Sequence, residues 1–166
     1  MKTYIGIDIG LKGAIVVQSD KIPTGYDCFK MPIIGNQIDI DSLYAILKVY
    51  KDTDVHVIFE KLGVIFGSSK ATAFSMGYQL GILEAICVSL NLRYSMVSAK
   101  VWQKVMFEGV SEIKKSGKTS RDTKGMALIA AKRLFPKIPL SFKEGLKPHD
   151  GLVDALLISE YGKRNF

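Results

Sequence analysis

The sequence lacks several features that would define a simple class. Only two cysteines occur, Cys28 and Cys87, far apart and without metal-ligand spacing. That excludes a disulfide framework and a cysteine-based zinc site, and it predicts two reduced cytosolic thiols. No uninterrupted apolar run approaches the roughly 20 residues that cross a bilayer, so no membrane partner is expected. The N-terminus has no signal-peptide pattern, because Asp8 interrupts its apolar stretch. Internal repeats, low-complexity tracts and linkers are also missing, which predicts one domain over residues 1–166. No Gly-x-x-x-x-Gly-Lys-Ser/Thr loop is present, and no nucleotide cofactor is expected.

The composition that remains, 48% hydrophobic and 23% charged, is that of a globular chain able to bury a core unaided. Lysine and arginine total 23 against 16 acidic residues, a net charge of +7. The excess favours a polyanionic partner, nucleic acid ahead of membrane, although many small proteins are mildly basic without one. The first segment, Thr3 to Val17, has two β-branched apolar runs around Gly10-Leu11-Lys12-Gly13. This is the pattern of a β-hairpin at the centre of a sheet. Asp8 stands within the first run, among Ile5, Ile7 and Ile9. A lone carboxylate there is costly to bury unless it is paired or holds a metal.

Downstream, residues 25–31 predict a third strand ended by Pro32. Asp39 or Asp41 caps a helix with Leu43, Ile46, Leu47 and Tyr50 on one face. Val55–Glu60 reads as a buried strand ending in a carboxylate, and residues 62–69 as a loop. Ser68 or Ser69 then starts a long helix through Leu90. Gly77 and Gly81, one turn apart on it, would admit a neighbouring backbone, either within the molecule or from a second copy. Residues 92–97 predict a fifth strand, and residues 100–106 a short helix with Trp102 as packing anchor. A basic stretch follows, with Lys114, Lys115, Lys118, Arg121 and Lys124 around Gly117. Thr119 or Ser120 caps the next helix, with Met126, Ile129, Ala130 and Leu134 inward and Pro136 as its stop. Residues 136–148 form a loop, and a last helix begins near His149 or Asp150. The sum is an α/β fold with a five-stranded mixed sheet, three strands antiparallel and then two parallel, flanked by helices.

Acids occur in three places where the pattern asks for apolar residues: Asp8, Glu60, and the pair Asp150 and Asp154. The pair is four residues apart, so both share one face of a helix and repel. Nothing beside them in sequence neutralises that repulsion; a divalent cation would. Carboxylate oxygens suit Mg²⁺ or Mn²⁺. Clusters of this kind hold two metals roughly 3.5–4 Å apart for phosphodiester hydrolysis. The plainer readings are that Asp150 is an N-cap and that Glu60 pairs with Lys61 or another cation.

Three stretches together resemble the RuvC family of Holliday junction resolvases, in its small phage-type form. They are Ile7-Asp8-Ile9-Gly10, Val57-Ile58-Phe59-Glu60 and His149-Asp150-Gly151-Leu152-Val153-Asp154-Ala155-Leu156. The likeness covers nearly the whole chain in order and spacing, and it implies an RNase H-like fold. It implies catalytic metal ligands at Asp8, Glu60 and Asp154, holding two Mg²⁺ ions, or Mn²⁺, per site. The family's fourth ligand often sits three residues before the last Asp, which here is Gly151. Asp150 takes that role instead, with His149 as a helper. The resemblance further implies a homodimer in a bacterial or phage-infected cytoplasm. It would bind four-way branched DNA and nick it symmetrically, leaving 5′-phosphates and 3′-hydroxyls. Lys114, Lys115, Lys118, Arg121 and Lys124 are then phosphate contacts, and Phe66 stacks on an unpaired base. A solvated loop and a packing aromatic are the ordinary alternatives for these residues. The helix of Gly77 and Gly81 is the candidate dimer contact.

Other classes compete. A different RNase H-like nuclease, such as a Yqg-type RNA-processing enzyme or one acting on branched replication DNA, shares fold and metals. A non-catalytic junction binder gains nothing from four repelling carboxylates. Asp8-Ile9-Gly10-Leu11-Lys12-Gly13 also resembles the first phosphate motif of actin-like ATPases, but 166 residues are too few for their two lobes.

Overall fold

The alternating β-branched residues of the first segment form two strands, β1 (Thr3–Asp8) and β2 (Ala14–Ser19). The computed structural model describes residues 2–61, 69–117 and 119–166. The chain continues through β3 (Tyr26–Lys30), a short ribbon of β4 (Ile33–Ile34) and β5 (Gln37–Ile38), and α1 (Ile40–Lys48). Then come β6 (Val55–Glu60), α2 (Lys70–Ser89), β7 (Arg93–Val97), α3 (Ala99–Met106), α4 (Thr123–Leu134) and α5 (Asp150–Asn165). The main sheet has the order β3-β2-β1-β6-β7. Its first two pairings are antiparallel and its last two parallel, as the sequence predicts. The β4–β5 ribbon was not expected.

Strand alternation divides the apolar residues between two cores. Ile5, Ile7, Val57 and Phe59 face α1 and α2, where they meet Leu43, Leu47 and Leu83. Tyr4, Val16 and Ile58 face the other side, with Trp102, Met126, Leu152 and Leu156. Asp8 has the parity of Tyr4, and Glu60 that of Ile58, so both acids lie on the second face. Between Tyr4 and Asp8 stands Gly6. A Cβ there would lie 2.2 Å from the carbonyl oxygen of Ala155 and 2.3 Å from the amide nitrogen of Ser159. The missing side chain is what lets the backbone of α5 rest directly on the central strand.

Several local expectations change. Asp39 and Ser69 cap α1 and α2, but α4 is capped by Asp122, which accepts from the Gly125 amide at 3.1 Å. Thr119 and Ser120 are kept out of that role because Arg121 pairs with Lys114 in an antiparallel bridge and the Ser120 carbonyl accepts from the Lys115 amide, with Gly117 at φ +67°. The inward stripe of α4 is Met126, Ala127, Ala130 and Ala131, while Ile129 falls one step off it and is 46% exposed. Among the described residues, Cβ atoms on Gly77 or Gly81 would meet nothing within 4 Å, so no close packing with the described part of the molecule explains them. α2 is also a correction to the membrane argument. At 20 residues and mean hydropathy 1.3 it is long and apolar enough to cross a bilayer, although Ser75, Gln79 and Glu84 interrupt any continuous run. Its Leu83, Ile86 and Cys87 pack on the sheet, whereas Phe74 and Tyr78 stack on each other at its exposed side.

Candidate active site

Parallel pairing of β1 with β6 runs to Ile7 opposite Phe59. Asp8 and Glu60 are therefore the next residues at adjacent strand ends, on one face. α5 crosses that face and adds Asp154. Its first turn is seated by Gly151: a Cβ there would lie 2.6 Å from the Lys12 carbonyl oxygen and 2.9 Å from Asp8 Oδ2. No side chain fits at 151, so an acid at that position is sterically barred by the hairpin turn itself.

The three acids are half-buried and electrostatically coupled. Burial pushes Asp8 up to about 7, with repulsion from Asp154 and Glu60 adding to it and Lys124 opposing. Asp154 is likewise pushed up to about 7 by burial, then by Glu60 and Asp150, again with Lys124 opposing. Burial also raises Glu60, held back by the Trp102 indole, whose Nε1 donates to Glu60 Oε2 at 3.1 Å. Shifted acids gathered in one place are the electrostatic signature of a functional site. Glu60 makes no ion pair among the described residues. Trp102 takes that place, a role invisible in a sequence where it reads only as a packing anchor.

The helix start resolves the neighbouring residues. His149, not Asp150, is the N-cap: its Nδ1 accepts from the Leu152 amide at 3.1 Å, and its ring sits edge-on to Phe142. A neutral imidazole that accepts at Nδ1 carries its proton on Nε2, which leaves no lone pair for a metal. Asp150 is exposed and pairs with Lys124, a cation 26 residues away that sequence proximity could not supply. Lys114 and Lys115 are exposed on the folded-back segment. Arg121 turns toward the body, with Nε 3.1 Å from Met126 Sδ and its guanidinium 5.8 Å from the centre of the Phe107 ring. Phe66 and Lys118 lie outside the described residues.

Among the described residues, no three His, Cys, Asp or Glu side chains converge at ligating distance as they stand. The donor chemistry nonetheless fits a hard divalent cation: oxygen donors only, held by two strands and a helix, mutually repelling. A cation would offset the repulsion that raises Asp8 and Asp154.

Two outcomes follow from this arrangement. Trp102→Phe keeps most of the packing but removes the only described donor to Glu60. It should cost about 1–2 kcal/mol of stability and roughly tenfold in divalent-ion affinity, read by chemical denaturation and calorimetric titration. An unchanged affinity would reduce the indole to packing. The pH dependence has a definite sign. Native Asp8 and Asp154 bind protons more tightly than the unfolded chain, so they remove stability as pH rises from about 4 to about 7. The metal-free protein should therefore lose Tm relative to an Asp8→Asn/Asp154→Asn variant between pH 5 and 8. Parallel curves for the two proteins would contradict the coupling.

A scan against protein-family models and a search of the curated proteins each find no match. Among solved structures, the chain is similar to T. thermophilus RuvC in complex with Holliday junction substrate. The TM-score is 0.57 and the identity 15%, over 99% of this chain and 96% of that one. A second Thermus thermophilus RuvC structure matches at TM-score 0.55 and 15% identity, over 98% of this chain and 95% of the other. The architecture is the RNase H-like fold of RuvC, as the three sequence stretches implied.

Proposed function

We propose that the protein is a divalent-metal-dependent endonuclease of the RuvC type that resolves four-way DNA junctions by paired, symmetric nicks. The observation that carries this reading is the facing of half-buried Asp154 of α5 toward half-buried Asp8 and Glu60 at one end of the sheet. Asp8, Glu60 and Asp154 would hold Mg²⁺ or Mn²⁺, two ions per site, with Asp150 as the fourth acid once it leaves Lys124. When bound, the metal activates water and stabilises the leaving oxygen. The chain's own part is to hold the strand. Glu60 is oriented by Trp102, and Lys124 lies beside the acids, where a scissile phosphate can take it from Asp150. Lys114 and Lys115 reach phosphates flanking the cut, with Lys118 and Arg121 on the same segment. Symmetric nicking needs a second copy. The exposed face of α2, with Gly77, Gly81, Phe74 and Tyr78, is the apolar surface that a homodimer would cover.

The deciding experiment compares cutting of four-way junctions, flaps, linear duplex and RNA hybrids by purified protein in Mg²⁺ or Mn²⁺. Paired cuts confined to junctions are expected; preferential RNA cutting would move the protein to another RNase H-like activity. Lys114→Ala/Lys115→Ala should weaken junction binding and lower the slope of log affinity against log salt by roughly 1 per lysine. An unchanged slope would leave these lysines as solvated surface.

A further inference from the structure

The loop that joins α4 to α5 is held in shape by its own bonds. The Ile138 amide donates to the Phe135 carbonyl at 3.1 Å, and the His149 amide donates to the Leu140 carbonyl at 2.8 Å. Pro136 and Pro148 stiffen the chain near either end. Between this loop and the end of α4 lies a cavity of about 450 Å³, and none of the acids lines it. Phe135, Ile138, Leu140 and Leu146 give it apolar walls. Leu146 is 61% exposed at its edge. A lone exposed leucine is ordinary, but one that continues an apolar groove enlarges a surface that water covers poorly. The rim is cationic: Lys132 lines the cavity, Lys137 stands between Pro136 and Ile138, and Lys147 between Leu146 and Pro148. All three lysines are exposed, and none makes an ion pair among the described residues. Residues 132–148 carry five cations, Lys132, Arg133, Lys137, Lys143 and Lys147, against the single acid Glu144.

A nucleic-acid backbone would satisfy the lysines but would leave its phosphates desolvated against the apolar walls. A peptide with acidic residues beside one or two large apolar side chains satisfies both parts. Its apolar groups fill a cavity within the roughly 300–1,000 Å³ range of ligand pockets, and its carboxylates meet the ammonium rim. A groove already in shape loses little freedom when it is filled. We infer that this groove docks an acidic segment of a partner protein, its apolar side chains in the cavity and its carboxylates on Lys132 and Lys137. The loop runs directly into His149 and Asp150 at the start of α5, so the partner is held beside the acids without entering their site. The docking holds whatever reaction the acids perform.

The test is the fluorescence anisotropy of a fluorescein-labelled peptide, Asp-Glu-Asp-Glu-Leu-Gly-Phe-Phe, titrated with the full chain in EDTA at low and at physiological salt. Saturable binding is expected. A control peptide with serines in place of the leucine and both phenylalanines should bind at least roughly tenfold more weakly. Leu146→Asp, at an exposed position outside the core, should weaken the first peptide by roughly tenfold. Lys132→Glu/Lys137→Glu should do the same and remove most of the salt dependence. Thermal melts of both variants should match the parent protein. Absence of binding, equal binding of the two peptides, or an affinity that neither variant moves overturns the proposal. Displacement of the peptide by excess four-way DNA, or variants that lose DNA and keep the peptide, makes nucleic acid the occupant and overturns it as well.

Discussion

Replacing Asp8 with Asn should reduce junction cleavage by about 10³-fold or more, some 4 kcal/mol of lost transition-state stabilisation. Junction binding should stay intact or tighten. The two effects part because Asp8 does different things in the two steps. It ends the central strand, with its backbone paired to Ala14 of β2 and the preceding Ile7 paired to Phe59 of β6. Its charge faces Asp154 and Glu60, and toward DNA it only repels. The amide removes that charge at nearly constant shape. For the same reason the metal-free variant should gain on the order of 1–2 kcal/mol at pH 8, where the wild-type carboxylate is ionised at a cost. The gain should vanish near pH 4, where both forms are neutral. Single-turnover cleavage, gel shift and thermal melts at the two pH values check the three statements together. Cutting near the wild-type rate in Mg²⁺ would remove Asp8 from the site.

Gly6→Ala should be the most damaging change outside the acids. The added methyl group would meet backbone on α5, at 2.2 Å from the Ala155 carbonyl oxygen and 2.3 Å from the Ser159 amide nitrogen. Backbone cannot rotate away as a side chain end can, so the helix must lift from β1. Overpacking of this kind costs about 3 kcal/mol, a drop in Tm of roughly 6–12 °C in a chain of this size. Lifting α5 also carries Asp154 away from Asp8. Cleavage should therefore fall further than the fraction of unfolded protein accounts for, when both are measured at a temperature where the variant is still folded. A variant with unchanged melting would mean that α5 is not seated on β1 at this point.

These two positions differ in how they can be read. Asp8 stands out in the linear sequence because it breaks an apolar alternation, and its cost forces the question of a partner. Gly6 does not stand out: it sits among isoleucines as any small strand residue might, and only the helix lying on it reveals its purpose. Glu60 and Asp154 were legible for the same reason as Asp8, as charges in apolar segments. The sheet order was legible too, since a tight glycine turn makes neighbours antiparallel and an intervening helix makes them parallel. Caps were read well where the side chain and the helix are contiguous, as at Asp39 and Ser69. They were misread at α4, where Arg121 pairs back with Lys114 in a bridge and Asp122 takes the cap.

The sequence by itself determined the five strands of the main sheet, the sense of their pairing and the three acids that break apolar runs, because local periodicity and the cost of burying charge act over a few residues. Only the tertiary structure decided who stands beside each acid. Trp102 reaches Glu60 across 42 positions and Lys124 reaches Asp150 across 26. Gly151 closes on the hairpin turn and excludes a side chain at that position, and His149 turns to its own helix rather than outward. These pairings depend on how α3, α4 and α5 pack on one face of the sheet, and packing is a property of distances in space that spacing along the chain does not encode.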